Sequence, residues 1–155
     1  TGPTREYLDP VRYISNESSG KQGYELALAL KKLGVKTKLI AGPSNLISSK
    51  DLKIKKIITA KQMMEEVKKS LPVDIAVCAA AVSDFKPINK SKNKIKKNNS
   101  ELTNIRLEKN PDILDYLSKN NKARPSIVVG FSAETENVIQ NSRAKIREKY
   151  CDLQK

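Results

Sequence analysis

Two apolar runs, Asp74 to Val82 and Ser126 to Phe131, constrain this chain more than any other feature. The first is bounded by Pro72 and Asp84 and shows no polar alternation, the pattern of a strand covered on both faces in a parallel sheet. Parallel neighbours need crossover connections, and the intervening segments have helical periodicity. In Gly20 to Leu33, residues Leu26, Ala29, Leu30 and Leu33 recur at i, i+3, i+4 and i+7, with Lys31 and Lys32 in the last turn and Gly34 beyond it. Thr59 with Gln62 reads as a capping box for a helix carrying Met63, Met64, Val67 and Leu71 inward, the methionines as core filler. Asn110-Pro111 reads as the N-cap and first position of a short helix reaching Leu117. Thr135 to Lys149 reads as a polar helix with Val138, Ile139 and Ile146 facing inward. Val35, Thr37 and Leu39 alternate with lysines as a strand closed by Gly42-Pro43, Ile57-Ile58 is a short strand, and Leu102–Leu107 is a weaker one. Thr1-Gly2-Pro3-Thr4 has loop composition. Strands alternating with helices predict a Rossmann-like three-layer α/β sandwich with a mostly parallel sheet. The 155 residues suit a single domain.

Composition removes several function classes. No run approaches the roughly 18 apolar residues of a membrane span and no secretory pattern opens the chain, so a cytoplasmic, membrane-free protein is expected. Cys78 and Cys151 lack metal-ligand spacing and are expected as free thiols, and the absence of His argues against zinc. The formal net charge of +13 suits an anionic partner, or a solvated lysine surface. Two Phe and no Trp give few stacking platforms, which disfavours a nucleic-acid module.

Ligands of open α/β sheets sit beyond the carboxyl ends of the strands. That rule selects Thr1–Gly20, Ala79–Lys97, Glu108–Leu114 and Phe131–Thr135. The first ends in Ile14-Ser15-Asn16-Glu17-Ser18-Ser19-Gly20-Lys21, either an anion cradle at a helix N-terminus or ordinary capping by Ser18 or Ser19. It satisfies neither the Walker A spacing nor a dinucleotide fingerprint. In the second, small Ala79, Ala80 and Ala81 let a ligand approach the backbone, and Asp84 either accepts from a ribose or base or caps the turn. A lysine-rich flap, residues 86–100, follows; it is either a solvated loop or a lid bringing positive charge over a polyphosphate.

Taken in order, Thr1-Gly2-Pro3-Thr4-Arg5-Glu6, Asp9-Pro10-Val11-Arg12-Tyr13-Ile14-Ser15-Asn16, Ser18-Ser19-Gly20-Lys21-Gln22-Gly23, Ala79-Ala80-Ala81-Val82-Ser83-Asp84-Phe85, Lys94-Ile95-Lys96-Lys97, Lys109-Asn110-Pro111-Asp112-Ile113-Leu114 and Gly130-Phe131-Ser132-Ala133-Glu134-Thr135 resemble phosphopantothenoylcysteine synthetase. That enzyme is the synthetase half of the bifunctional Dfp flavoprotein of coenzyme A biosynthesis. The resemblance implies a ligase that activates 4′-phosphopantothenate with CTP and Mg2+ as an acyl cytidylate, then forms the amide with cysteine. It assigns catalytic roles to Asn16 (turnover of the acyl nucleotide) and Lys94 (the first half-reaction). It places Gly2, Cys78, Ala79, Ala80, Asp84, Lys94, Pro111, Asp112, Ile113, Leu114, Phe131, Lys145 and Lys149 at the nucleotide, and Arg12, Asn16, Ala80 and Ala81 at phosphopantothenate. It further implies a homodimer, no FMN on this domain, and a flavin-dependent decarboxylase on a separate chain. Against the family pattern, the chain is expected to lack the first strand and the C-terminal segment, and Phe85 stands where Tyr is common. A catalytically impaired nucleotide-binding fragment is therefore the alternative.

Overall fold

A computed structural model describes residues 1–45, 52–96, 104–119, 122–132 and 136–154. In chain order the elements are β1 (Gly2–Pro3), β2 (Glu6–Tyr7), β3 (Tyr13–Ile14), α1 (Lys21–Lys32), β4 (Lys38–Ala41), β5 (Lys53–Lys56), α2 (Ala60–Ser70), β6 (Ile75–Cys78), β7 (Ala80–Ala81), β8 (Phe85–Pro87), β9 (Leu107–Lys109), α3 (Ile113–Ser118), β10 (Ile127–Gly130), α4 (Val138–Lys149) and β11 (Leu153–Gln154).

Four parallel ladders build the sheet. β10 pairs with β6 (Val128↔Ala76) and with β11 (Val129↔Leu153), β1 with β7 (Gly2↔Ala80), and β4 with β5 (Leu39↔Ile54). The Thr1 nitrogen donates to Ile40 O at 2.7 Å and Gly42 N–H to Thr1 O at 2.9 Å, which seats β1 beside β4. β6 and β7 are one strand interrupted at Ala79. The order is therefore β5-β4-β1-β6/β7-β10-β11, or 3-2-1-4-5-6 in sequence of appearance, the doubly wound arrangement. Its order reverses between β1 and β7.

Helices lie on both faces, as the alternation predicts. Helix α1 packs Ala27, with Tyr24 and Leu28, on Leu39 of β4 and on Leu52. Helices α2 and α3 bury Met63, Met64, Ile113 and Leu117 around Val128 and Cys151 on the other face, and Ile146 of α4 joins them. Both methionines are core, and Cys78 and Cys151 lie in the same cluster without forming a disulfide. The Thr59–Gln62 capping box forms in full: Thr59 Oγ1 accepts from Gln62 N–H at 3.2 Å while Gln62 Oε1 accepts from Thr59 N–H at 3.2 Å.

The structure corrects five sequence expectations. Residues 1–4 are not loop throughout, because Gly2–Pro3 forms the central strand β1. The strand expected at Ile57-Ile58 is the preceding Lys53–Lys56; at the sheet margin only Ile54 faces apolar neighbours, so lysines fill the rest of the strand. Asp112, not Asn110, caps α3, its side chain accepting from Asp115 N–H at 2.9 Å. The runs around β6 and β10 are parallel strands but are not covered on both faces, with Ile75 51% and Ile127 39% exposed. The expected strand at residues 102–107 begins only at Leu107, residues 101–103 lying outside the described set. Among the described residues no helix is long and apolar enough to cross a membrane.

Candidate active site

The switch point between β1 and β7 is a knot of side-chain-to-backbone hydrogen bonds. Thr4, fully buried just after β1, accepts at Oγ1 from Ser83 N–H at 3.0 Å. Ser15 Oγ donates to Thr4 O at 2.7 Å, and Asn16 Nδ2 donates to Val82 O at 3.0 Å. Asn110 closes the opposite side, donating from Nδ2 to Ser83 O and from its backbone N–H to Asp84 O, both at 2.8 Å. The loop before α1, the end of β7 and the loop before α3 are thus tied to one another at the carboxyl end of the sheet. Asn16 joins this knot through Val82 O, Ala81 through its carbonyl to Thr4 N–H and Asp84 through its carbonyl to Asn110 N–H, while Ala80 and Pro111 are their chain neighbours. The Nδ2 bond to Ser83 O holds the Asn110 side chain toward β7 rather than toward α3, and its Oδ1, the atom a cap would use, is buried without a hydrogen-bond partner among the described residues.

A second grouping lies at the hairpin β2–β3. The turn is set by Asp9, whose Oδ1 accepts from Val11 N–H and Arg12 N–H, both at 2.8 Å. Arg12 then returns a guanidinium to Asp9 Oδ2 at 2.7 Å. Arg12, Lys94, Ile95 and Lys96 line a cavity of about 280 Å3. Three of the four residues are cationic, but they border the cavity with aliphatic carbon rather than with their charged ends. The sequence expectation put Arg12 and Lys94 at different ligands; the structure puts them on one cavity.

A third grouping stands where β6 and β10 meet α3. Asp112 Oδ2 pairs with Lys149 Nζ at 2.9 Å, joining two residues expected at the nucleotide. Ile113, the first residue of α3, is buried, Leu114 packs against the core, Cys78 ends β6, and Phe131 follows directly on β10. The side chain of Lys145, Lys97, and Ala133 to Thr135 lie outside the described residues. Burial alone lifts a carboxyl, but at Asp112 the Asp115 and Leu114 amides and the Lys149 ammonium outweigh it and hold the group below its usual range. At Asp9 the Val11, Ile95 and Arg12 amides outweigh burial in the same way. At Asp152 the Val128 amide leads, with Arg124 adding to it. Burial pushes the Cys78 thiol up to about 11, which suits a packed wall rather than a nucleophile.

These depressed carboxyls predict acid lability. A group whose folded pKa lies below its unfolded value of about 3.9 stabilises the fold above that value, and the contribution is lost as pH falls through the folded pKa. The thermal midpoint should therefore be level from pH 5 to 7 and drop steadily below about pH 4. Asp112→Asn should flatten that drop, measured by circular dichroism melts across the range; an unchanged slope would refute the assignment for Asp112.

Thr4, Ser15, Ser83 and Asn110 escaped the reading of single segments because each acts through a partner far along the chain. Asp9 left one local signal, an Asp three residues before an Arg in a Pro-containing turn.

A parallel sheet in doubly wound order, with polar loops gathered where that order reverses, defines a Rossmann-like α/β domain, a fold that generally binds ligands at the strand ends. Residues 1–154 match the DNA/pantothenate metabolism flavoprotein C-terminal domain, and the chain belongs to that family. The coenzyme A biosynthesis bifunctional protein CoaBC of Haemophilus influenzae is 41% identical over 153 residues, 98% of this chain and 38% of that relative. The chain thus spans under two fifths of that curated relative's length. Among solved structures, the C-terminal domain of a CoaBC protein superposes with a TM-score of 0.83 at 34% identity, covering 98% of this chain and 71% of that one. A Cab2 variant in complex with phosphopantothenate-cysteine shares the fold at a TM-score of 0.76 and 18% identity, over 99% of this chain and 69% of that one.

Proposed function

We propose that this domain performs phosphopantothenate–cysteine ligation in coenzyme A biosynthesis. The observation that carries the reading is the Asn16 loop fastened to the end of β7, with three cationic residues, Arg12, Lys94 and Lys96, gathered around one cavity beside the β2–β3 hairpin. The relatedness to CoaBC, and the phosphopantothenate-cysteine held by the similarly folded Cab2 variant, point the same way.

In this reading a carboxylate oxygen of 4′-phosphopantothenate attacks the α-phosphorus of CTP, and the bond to pyrophosphate breaks with the electron pair leaving on pyrophosphate. The amine of cysteine then attacks the acyl carbon, CMP departs with its electron pair, and the amine sheds a proton. Lys94 and Arg12 neutralise charge in the first step, and Asn16 orients the amine in the second. Asp84 and residues 111–114 would border the nucleotide, with Phe131 in the position directly after β10, while Asp112 steadies Lys149. Among the described residues no three His, Cys, Asp or Glu side chains gather as a metal cage, so Mg2+ would enter on the triphosphate oxygens. The same reading carries a cytoplasmic homodimer served by a flavin-dependent decarboxylase.

The test is incubation with CTP, Mg2+, 4′-phosphopantothenate and cysteine, following pyrophosphate and CMP. Release of both supports the ligase. CTP binding with release of neither would replace this reading with an impaired nucleotide-binding domain. ATP in place of CTP tests the base preference.

A further inference from the structure

We propose that Asp9 is a positioning residue that clamps the Lys94–Lys96 segment against Arg12 and so fixes where the Lys94 ammonium stands. The catalytic part of this inference rests on the ligase reading, whereas the clamp itself rests on geometry alone.

Asp9 is fully buried although it belongs to a surface hairpin. Its two oxygens divide their work. Oδ1 holds the turn, accepting from Val11 and Arg12 N–H. Oδ2 reaches across the chain, accepting from Arg12 Nη1 at 2.7 Å and from Ile95 N–H at 3.1 Å. Arg12 Nη1 also donates to Ile95 O at 3.1 Å. The N–H and C=O of Ile95 are thus both taken up by the same Asp9–Arg12 pair. The approach to that point is held too: Ser91 N–H donates to Leu8 O at 2.8 Å, and Lys90 Nζ stands 5.3 Å from the centre of the Tyr7 ring.

A lysine-rich loop gains nothing by lying beside Arg12, since like charges repel. The buried carboxylate supplies the compensation, and its bond to the Ile95 amide fixes the loop at the residue next to Lys94. Positioning of this kind acts on rate, because a charged donor stabilises developing charge only from the correct place.

The division of labour between the two oxygens gives a selective variant. In Asp9→Asn the side-chain oxygen can keep the Val11 and Arg12 amides, but an NH2 then faces the Ile95 N–H and Arg12 Nη1, donor against donor. Amide hydrogen exchange at Ile95 should accelerate at least about tenfold while Val11 and Arg12 stay protected. Pyrophosphate release should fall at least about tenfold in kcat, with little change in KM for cysteine. Ile95→Pro, which removes the donor and leaves the buried carboxylate in place, should reproduce the loss and cover the case in which Asp9→Asn fails to fold. Unchanged exchange at Ile95, or equal loss of protection at all three amides, would overturn the clamp. If the unmodified chain releases no pyrophosphate, the ligase reading fails and the exchange measurement still decides the clamp.

Discussion

Gly42→Ala should cost this chain its cooperative fold. A Cβ at position 42 would stand 1.7 Å from Pro3 O and 2.8 Å from Pro3 C. Both are backbone atoms of β1, so no side chain can turn aside, and the strands must part by more than an ångström. β1 has nowhere to go, because it is paired on its other side with Ala80 and Ala81. Separation would break the Gly42 N–H to Thr1 O bond and disturb Thr1 N to Ile40 O and Thr4 N–H to Ala81 O. Each such bond contributes about 0.5–1.5 kcal/mol net, and more if its groups stay buried and unpaired. Several together approach the roughly 5–15 kcal/mol that a domain has in total. The expected result is loss of a sigmoidal melt, or a midpoint lowered by more than about 10 °C. A melt like that of the unmodified chain would mean that β1 does not lie against Gly42 as described.

What could be read from the sequence divides along a physical line. The Thr59–Gln62 capping box and the helical stripe of α2 were legible because their partners lie within one turn. The parallel sheet was legible because strands and helical stripes alternate along the chain. β1 was not, since a Gly-Pro pair has no strand propensity and becomes a strand only through neighbours at Ala80 and Ile40. Lys53–Lys56 was missed because a marginal strand needs only one apolar side chain inward, and the eye goes to Ile57-Ile58 instead. Asn110 differs from its local capping signal for the opposite reason: a carbonyl 27 positions away holds its Nδ2, which turns the side chain away from α3 and leaves Oδ1 without a partner among the described residues. The candidate site shows the same split. The resemblance named Asn16, Arg12 and Lys94, while the contact joining Arg12 to the lysine segment runs through Asp9 and an amide 86 residues distant. No periodicity encodes that.

Asn16→Asp and Lys94→Gln should separate the two halves of the proposed reaction. Asn16 sits on the loop ahead of α1 and donates from Nδ2 to Val82 O at 3.0 Å. That bond aims the side chain at the strand end and leaves Oδ1, which has no partner among the described residues, to accept from an incoming amine. Aspartate removes the donor and sets an anionic oxygen against the Val82 carbonyl, so the side chain must swing away. The first half-reaction does not need an acceptor for an amine, so pyrophosphate release should persist within about threefold. Amide formation should drop about a hundredfold, the scale of a lost positioning contact, with acyl nucleotide accumulating. Lys94→Gln acts on the other half. It removes one of three cations, with Arg12 and Lys96, gathered around one cavity, and in the proposed reaction charge on the transferring phosphoryl oxygens needs neutralising. Pyrophosphate release should fall about 10²–10³-fold, the usual cost of deleting one such donor. Chemically prepared acyl cytidylate bypasses that step, so Lys94→Gln should still convert it to amide in the presence of cysteine, whereas Asn16→Asp should not. Equal loss of both steps in both variants would show that the two residues serve one step together, and would dissolve the division between the cavity and the strand-end loop.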